Sequence, residues 1–205
     1  MFMRAATSQK REKPYHHGDL RETLLLAGEA ALAELPFESV SLREIARRAG
    51  VSHAAPKHHF PTLAEMLAEI ASRGFERFVA ELDQSAAKST DQTPEGKLHA
   101  MSRGYLRFAG DNAAVYSLMF GSKGACAMTP HLAKASFAAW DQLELAVTLI
   151  VGKARAVDGA LLVWSTVHGL AMLRQEQRIP PHLAPHAALE VSLRMMIAGL
   201  SAERR

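Results

Sequence analysis

Residues 41–60 read SLREIARRAGVSHAAPKHHF, and this stretch decides the fold. Ser41 stands three places before Glu44, which is the spacing of a capping box that starts a helix. Gly50 supplies the left-handed backbone conformation that ends a helix, and Ser52 is in position to cap the next one. The spacing therefore predicts two short helices joined by a tight glycine turn.

Positive charge gathers around this helix pair. No acidic residue lies between Ile45 and Phe60, and phosphates supply much of the attraction in protein–DNA complexes. Ala46 is small enough to let the helices cross closely, and the second helix of such a pair presents its N-terminal residues to the major groove. The pattern favours a DNA-binding helix-turn-helix; a helical adaptor whose hairpin binds protein is the alternative. The basic side chains are Arg43, Arg47, Arg48, Lys57, His58 and His59.

The second helix of the pair carries the candidate base contacts. Histidine can donate or accept at a base edge and alanine can touch a thymine methyl group, so we expect His53 and Ala54 to read bases. His59 is more simply interpreted as packing with Phe60 beneath the helix. The remaining predicted DNA-binding residues are Arg43, Arg47, Ser52, Lys57 and His58, the last three as contacts to the DNA backbone.

The rest of the chain is also helical by pattern. Alternating β-branched runs are absent, whereas helix starts recur and are followed by apolar spacings of three and four. With 205 residues, 48% of them hydrophobic, the chain can bury a large core without disulfides or metals. We predict an all-α protein of about nine helices. The predicted helices cover residues 18–35, 41–49, 52–60, 62–83, 93–111, 113–120, 129–151, 157–177 and 183–202.

A polar stretch of small residues divides the chain. Residues 84–92 read QSAAKSTDQ and form the predicted boundary. An N-terminal three-helix domain with the helix-turn-helix, residues 18–78, is expected before it. A larger helical domain, residues 84–205, is expected after it for effector binding and dimerisation.

The first domain resembles the DNA-binding domain of the tetracycline-repressor (TetR) family of transcriptional regulators. The resemblance rests on IARRAGVS at residues 45–52 and on the closing KHHF at residues 57–60. Two further stretches, PYHHGDLR at 14–21 and WSTVHG at 164–169, resemble a subgroup with a C-terminal Trp…His-Gly signature. The resemblance implies a dimer that binds double-stranded operator DNA and encloses a ligand cavity in its C-terminal half.

The chain departs from the family pattern at three positions. Lys57 stands where the family usually has tyrosine, and Leu63 where it usually has lysine. Lys57 can still reach a phosphate as a point charge, but Leu63 cannot. Pro56 removes one backbone donor from the second helix and is expected to bend it. These departures leave DNA binding in place and make the operator sequence unpredictable.

Aromatic and sulfur-containing side chains concentrate between residues 101 and 164. Such a stripe is more often plain core than pocket, but the family resemblance favours a cavity for a small, largely hydrophobic effector that the sequence does not identify. Tyrosine, tryptophan and histidine would add polar tips to an apolar wall. The predicted ligand-binding residues are Met101, Tyr105, Phe108, Tyr116, Phe137, Trp140, Trp164 and His168.

The last two predicted helices, 157–177 and 183–202, are apolar on more than one face, so each needs cover on two sides. A second copy is the expected cover, which predicts a two-fold homodimer with a four-helix interface. Such a dimer would place two recognition helices on a palindromic operator, from which an effector would release a repressor. In the last helix one stripe is Leu189, Leu193, Met196 and Leu200, and its extension is Val191, Met195 and Ala198.

Other function classes find little support. No catalytic constellation or phosphate-binding loop occurs, so neither an enzyme nor a cofactor is expected. Adjacent histidines, as at 16–17 and 58–59, make poor metal chelates, and Cys126 is interpreted as a passive thiol more readily than as a redox switch. The longest uncharged apolar stretch, residues 159–173, falls short of the about 20 residues of a membrane span. With no secretory signal at residues 1–13, we expect a cytoplasmic protein.

Overall fold

The computed structural model describes residues 17–121, 126–180, 182 and 185–202. Within these ranges the chain forms eight α-helices, three short 3-10 helices and no strand, which confirms the all-α prediction. Residues 1–13, where no secretory signal was found, and residues 14–16 of the subgroup resemblance lie outside them. The α-helices are α1 His17–Glu34, α2 Leu42–Arg48, α3 Leu63–Ala87, α4 Pro94–Asp111, α5 Ala113–Phe120, α6 Pro130–Val151, α7 Ala156–Gln175 and α8 Pro185–Ala202. The 3-10 helices are Phe37–Ser39, Ala55–His58 and Lys153–Arg155.

The predicted third helix, residues 52–60, is wrong as an α-helix. An irregular turn leads instead into the 3-10 helix Ala55–His58, and no side chain caps it. Pro56 explains the difference, because it has no N–H to donate and its ring disfavours helical geometry at the residue before it. The N–H groups of His59 and Phe60 both bond to the Pro56 carbonyl, at 2.9 and 2.8 Å, which closes the segment as tight turns.

Threonine side chains cap three of the other helix starts. The Thr62 hydroxyl accepts from the Glu65 N–H and the Glu65 carboxylate accepts from the Thr62 N–H, both at 3.2 Å, so this capping box is confirmed. Thr93 and Thr129 cap α4 and α6 with proline at the first helical position, where a missing N–H costs nothing.

The capping box predicted at Ser41 is only half present. The Ser41 hydroxyl accepts from the Glu44 N–H at 3.2 Å. The Glu44 carboxylate does not reach back, because it binds the guanidinium groups of Arg47 and Arg48 on its own helix. Two charged donors are stronger partners than one exposed backbone N–H.

Two hydrophobic cores share the long helix α3. Met66 and Ile70 belong to the first core, with Leu24 of α1 and Ile45 of α2. About two turns after Ile70, Phe78 belongs to the second core, between α4, α5, α6, α7 and α8. The helix continues to residue 87, one turn beyond the predicted end. A continuous helix therefore connects the N-terminal helices to the C-terminal bundle, and the division into domains at residues 78–84 stays a prediction.

Residues 153–175 are long and apolar enough to cross a membrane by length and composition alone. Ala160, Val163 and Val167 on one side of α7 are nevertheless buried in the second core. That burial is typical of the core helix of a globular protein. The opposite side of α7 carries exposed apolar residues.

Candidate DNA-binding surface and ligand cavity

The helix-turn-helix closes on a glycine with a left-handed backbone. Gly50 has φ +68°, as predicted, and a Cβ there would meet nothing within 4 Å. Its role is therefore conformational, since other residues rarely adopt this φ. The Val51 N–H bonds to the Ala46 carbonyl at 3.0 Å, while Ile45 and Ala46 are fully buried beneath the turn.

The seven residues predicted to bind DNA all lie exposed on this part of the molecule. Two buried side chains anchor the turn that carries five of them: Pro56 and Phe60 point inward. The Arg21 guanidinium lies 5.2 Å from the centre of the Phe60 ring and fixes it from α1. The polar side chains between these anchors can therefore reach a partner outside the protein. The seven exposed residues are Arg43, Arg47, Ser52, His53, Ala54, Lys57 and His58.

Glu44 organises the arginines of α2. It accepts two hydrogen bonds from Arg47, at 2.7 and 2.8 Å, and one from Arg48 at 3.0 Å. These bonds lower the pKa of Glu44 to about 2. Arg48 also pairs with Glu34 at 2.7 Å and is mostly buried, so its role is structural. Arg47 keeps 65% of its side chain exposed and can face a phosphate.

A cavity of about 200 Å³ lies inside the C-terminal bundle. Its lining is almost entirely apolar, and α3, α4, α5, α6 and α7 all contribute to it. Four of the eight predicted ligand-binding residues line it, namely Met101, Tyr105, Trp140 and Trp164. The other lining residues are Phe75, Phe78, Leu82, Leu98, Ser102, Phe120, Ser136, Ala139, Leu143, Val163 and Val167.

The structure does not bring the other four predicted residues to the cavity wall. Phe108 is buried in the core, with its ring 5.2 Å from that of Phe78. Tyr116 and His168 lie behind Tyr105 and bind its hydroxyl. Phe137 is 66% exposed on the outside of α6. This helix turns Ser136, Ala139, Trp140 and Leu143 inward, and the adjacent position 137 points about 100° away.

Sequence reasoning missed the contribution of α3 to the cavity. Phe75, Phe78 and Leu82 line it from that helix. Their spacing of three and four is a usable signal, but all eight residues predicted to bind the effector lie after residue 100. Phe120, at the end of α5, was also missed as a lining residue.

A polar triangle lies behind the cavity. The Tyr105 hydroxyl is 3.0 Å from the Tyr116 hydroxyl and 2.9 Å from His168 Nδ1, and the Tyr116 hydroxyl is 2.8 Å from the same nitrogen. Burial raises the pKa of Tyr116 to about 12 and raises that of Tyr105 further, with Tyr116 adding to the effect. Burial lowers the pKa of His168. The three groups are therefore uncharged at neutral pH.

A half-buried thiol and a charged cluster lie outside both sites. Burial raises the pKa of the Cys126 thiol, which disfavours the reactive thiolate. At the start of α6, His131 contacts two carboxylates of α3, Glu69 at 3.1 Å and Glu76 at 2.9 Å. Arg21 of α1 also pairs with Glu69, at 3.0 Å. The cluster thus links α1, α3 and α6.

We expect the stabilisation from His131 to fall as pH rises. Hydrogen bonds to Glu76 and then Glu69 raise the pKa of His131 above its ordinary 6.5. The charged pair therefore stabilises the fold fully below that value and loses its contribution as pH passes the raised pKa. Because the side chain is 41% exposed, solvent screening limits the effect to about 0.2–1 kcal/mol. Urea unfolding of the unchanged protein and of His131→Gln at about pH 5.5 and about pH 8.5 measures it.

The difference in unfolding free energy between these two proteins should be larger at the lower pH. Phe137→Ala, which removes no titratable group and lies on the exposed outside of α6, provides the control and should show no such pH-dependent difference. If His131→Gln changes the free energy of unfolding equally at both pH values, the stabilising role of the charged His131 is contradicted.

The fold and these two sites define a helix-turn-helix protein with an enclosed apolar cavity in its second half. A family model described as bacterial regulatory proteins, tetR family, matches residues 24–70. A second, described as tetracyclin repressor-like, C-terminal domain, matches residues 98–200. The chain belongs to the TetR family.

Solved structures agree with this assignment. A protein of unknown function from Rhodococcus sp. RHA1 is 30% identical, with a TM-score of 0.82 over 93% of this chain and 100% of that one. The TetR family transcriptional regulator PfmR from Thermus thermophilus is 16% identical, with a TM-score of 0.65 over 85% and 97%. The fatty acid degradation regulator FadR from Bacillus halodurans is 15% identical, with a TM-score of 0.67 over 93% and 98%. The last two show likeness of fold alone. No curated protein matches the chain significantly.

Membership in this family gives the general function. TetR-family proteins are DNA-binding transcriptional regulators with a ligand-binding C-terminal domain, usually act as dimers, and are typically not enzymes. The Trp…His-Gly subgroup stays a prediction.

Proposed function

We propose that this protein is a cytoplasmic, dimeric repressor that binds a palindromic operator and is released by a small, largely apolar effector. The continuous helix α3 carries the proposal. Its first half packs against the helix-turn-helix through Met66 and Ile70, and its middle forms a wall of the cavity through Phe75, Phe78 and Leu82. An effector that displaces α3 would therefore move the DNA-binding surface of its protomer.

The proposed DNA contacts divide into two kinds. Ser52, Lys57 and His58, with Arg43 and Arg47, would bind phosphates and set the orientation of the protein on the duplex. His53 and Ala54 would read base edges in the major groove. All seven side chains are exposed and can therefore reach a duplex, which supports their assignment as DNA contacts.

The proposed dimer uses the outer faces of α7 and α8. Leu193, Met196 and Leu200 of α8 are buried within the protomer, whereas the side chain of Leu189 lies outside the described part. The extension of this stripe is exposed: Met195 shows 70% of its surface and Val191 45%. Exposed apolar residues continue on α7, and a second copy would cover both faces. The exposed large apolar residues of α7 are Val157, Leu161, Leu162, Trp164, Met172 and Leu173.

Two glycines support close packing of helices at this face. Gly169 of α7 and Gly199 of α8 lie within helices, and a Cβ at either would meet nothing within 4 Å. Glycine in a helix costs about 0.5–1 kcal/mol relative to alanine, and nothing in the protomer requires it there. Close approach of a partner helix would account for both.

The proposed release mechanism is a change in the separation of two recognition elements. They must lie about 34–36 Å apart to enter successive major grooves on one face of DNA. An effector releases the operator only if it binds more tightly to the arrangement of the dimer that does not fit DNA than to the arrangement that does. Filling the cavity beside Phe78 would favour a shifted position of α3.

Removing two proposed phosphate contacts should weaken binding to all duplexes alike. For Arg47→Ala/Lys57→Ala, the logarithm of the affinity should fall less steeply with the logarithm of the salt concentration. The slope should be smaller in magnitude by about two, since each phosphate contact contributes about one. His53→Ala should keep the slope and lose base preference. Gel shifts over a range of salt concentrations, with operator and scrambled duplexes, measure both effects.

Lys153→Ala supplies the matched control, because it removes an exposed positive charge far from the helix-turn-helix along the chain. Its slope should equal that of the unchanged protein. The contact assignment is wrong if the double variant keeps full affinity at physiological salt. If the unchanged protein binds duplexes with no salt dependence, the DNA-binding proposal itself fails.

A further inference from the structure

None of the described side chains that line the cavity carries a formal charge. Its lining side chains are aliphatic, aromatic or thioether groups, apart from two serines and the polar tips of Tyr105, Trp140 and Trp164. An ionised group that entered would lose its hydration and find no charged side chain among these lining residues, which is strongly unfavourable. The charge that does touch the wall is the carboxylate of Glu144, bound to the Trp140 indole, and it would repel an anion further.

Three of these polar groups are already hydrogen bonded within the protein. Ser102 and Ser136 each donate their hydroxyl to a backbone carbonyl one turn earlier, at 2.8 and 2.9 Å. The Trp140 indole N–H donates to Glu144 at 2.9 Å. A ligand would gain little by competing for donors that are in use.

Tyr105 is different because its hydroxyl belongs to the polar triangle with Tyr116 and His168. Neutral imidazole Nδ1 either donates or accepts, but does not do both. If Nδ1 accepts, the two tyrosine protons satisfy the triangle, and the Tyr105 oxygen keeps a lone pair for a ligand donor. If Nδ1 donates, one tyrosine proton has no acceptor within the triangle. Tyr116 is fully buried, so the proton available to a ligand in the cavity is that of Tyr105.

The same triangle can therefore donate to a ligand oxygen or accept from a ligand hydroxyl by a change of the His168 tautomer. Burial lowers the pKa of His168, which keeps the imidazole neutral and both tautomers accessible. No other group in the wall has this adaptability.

Resting on the proposed effector-binding role of the cavity, we infer that the effector is an uncharged, largely apolar molecule whose one hydroxyl or carbonyl oxygen binds the Tyr105 hydroxyl held by Tyr116 and His168. Trp164 lies at the same end of the wall, since the centre of its ring is 6.1 Å from that of the His168 ring. The polar end of the effector would thus lie beside Trp164, and its apolar body among the phenylalanines.

Four eight-carbon probes separate the chemical classes, namely 1-octanol, 1-chlorooctane, octanoate and octylammonium. The chain has two tryptophans, and both line the cavity. A saturable change in tryptophan emission therefore reports binding at this site. We expect 1-octanol to bind most tightly, and the two ions to bind at least about tenfold more weakly than 1-octanol.

Tyr105→Phe tests the hydrogen bond without changing the shape of the wall. The affinity for 1-octanol should fall about three- to tenfold, whereas the affinity for 1-chlorooctane should stay within about twofold of that of the unchanged protein. Ser72→Ala is the matched control, because it removes a buried hydroxyl that is engaged with the backbone of α3 and does not line the cavity. It should change neither affinity.

The possible failures are distinguishable. If octanoate or octylammonium binds as tightly as 1-octanol, the inference of an uncharged effector is overturned while ligand binding stands. If Tyr105→Phe lowers the affinities for 1-octanol and 1-chlorooctane equally, or lowers neither, the hydrogen bond from the ligand to Tyr105 is overturned. If none of the probes changes the emission, the cavity is not a ligand site, and the proposed effector response falls with the inference.

Discussion

Replacing Met195 with glutamate is expected to make the protein monomeric and to weaken operator binding about a hundredfold or more. Met195 is 70% exposed on the face of α8 that we assign to the two-fold interface. In the dimer two carboxylates would be buried in an apolar contact without partners, which is strongly destabilising. Linked recognition elements gain about 10²–10⁴ in affinity over single ones, and a monomer would lose that gain. Sedimentation and operator titration measure the two effects.

Met128→Glu is the matched control for this substitution. Met128 is 81% exposed but precedes α6, outside the proposed interface, so the variant should remain dimeric and bind operator normally. A Met195→Glu protein that stays dimeric would show that the last helix is not the interface. Circular dichroism separates a monomer from an unfolded chain.

Replacing Phe78 with alanine should lower the free energy of unfolding by about 3–5 kcal/mol. The Phe78 ring lies 5.0 Å from that of Tyr105, 5.2 Å from that of Phe108 and 6.1 Å from that of Phe120, in edge-to-face contacts. The substitution removes these contacts and enlarges a cavity that already exists, so the neighbouring side chains have little support for relaxing inward. Urea unfolding at fixed protein concentration measures the loss, since a dimer's stability depends on concentration.

Phe137→Ala provides the comparison on an exposed face. Its ring is 66% exposed, so truncation should change the unfolding free energy by less than about 0.5 kcal/mol. A loss below about 1 kcal/mol for Phe78→Ala would contradict the central packing role assigned to that ring.

Local signals in the sequence predicted most of the helices. Thr62, Thr93 and Thr129 each cap a helix where expected, because a cap depends on residues within one turn. Gly50 takes the predicted positive φ for the same reason. The third helix was wrong although its cause, Pro56, was visible. The prediction followed from the expected Ser52 cap and the Gly50 turn, but the restriction that Pro56 places on the backbone prevailed.

The cavity could be predicted only in part, because it depends on contacts distant in sequence. His168 meets Tyr105 across 63 positions, and no local pattern indicates that pairing. Composition identified the aromatic region, but it could not tell the inward residue Trp140 from the outward residue Phe137. That distinction follows from the rotation of α6 against its neighbours.

Selection of bound duplexes from a random pool tests the central claim most directly. Two recognition elements related by a two-fold axis should enrich an inverted repeat whose half-site centres lie about 10 base pairs, or a multiple of that, apart. Enrichment of a single asymmetric site, or no enrichment at all, would contradict a dimer that reads an operator through residues 52–58.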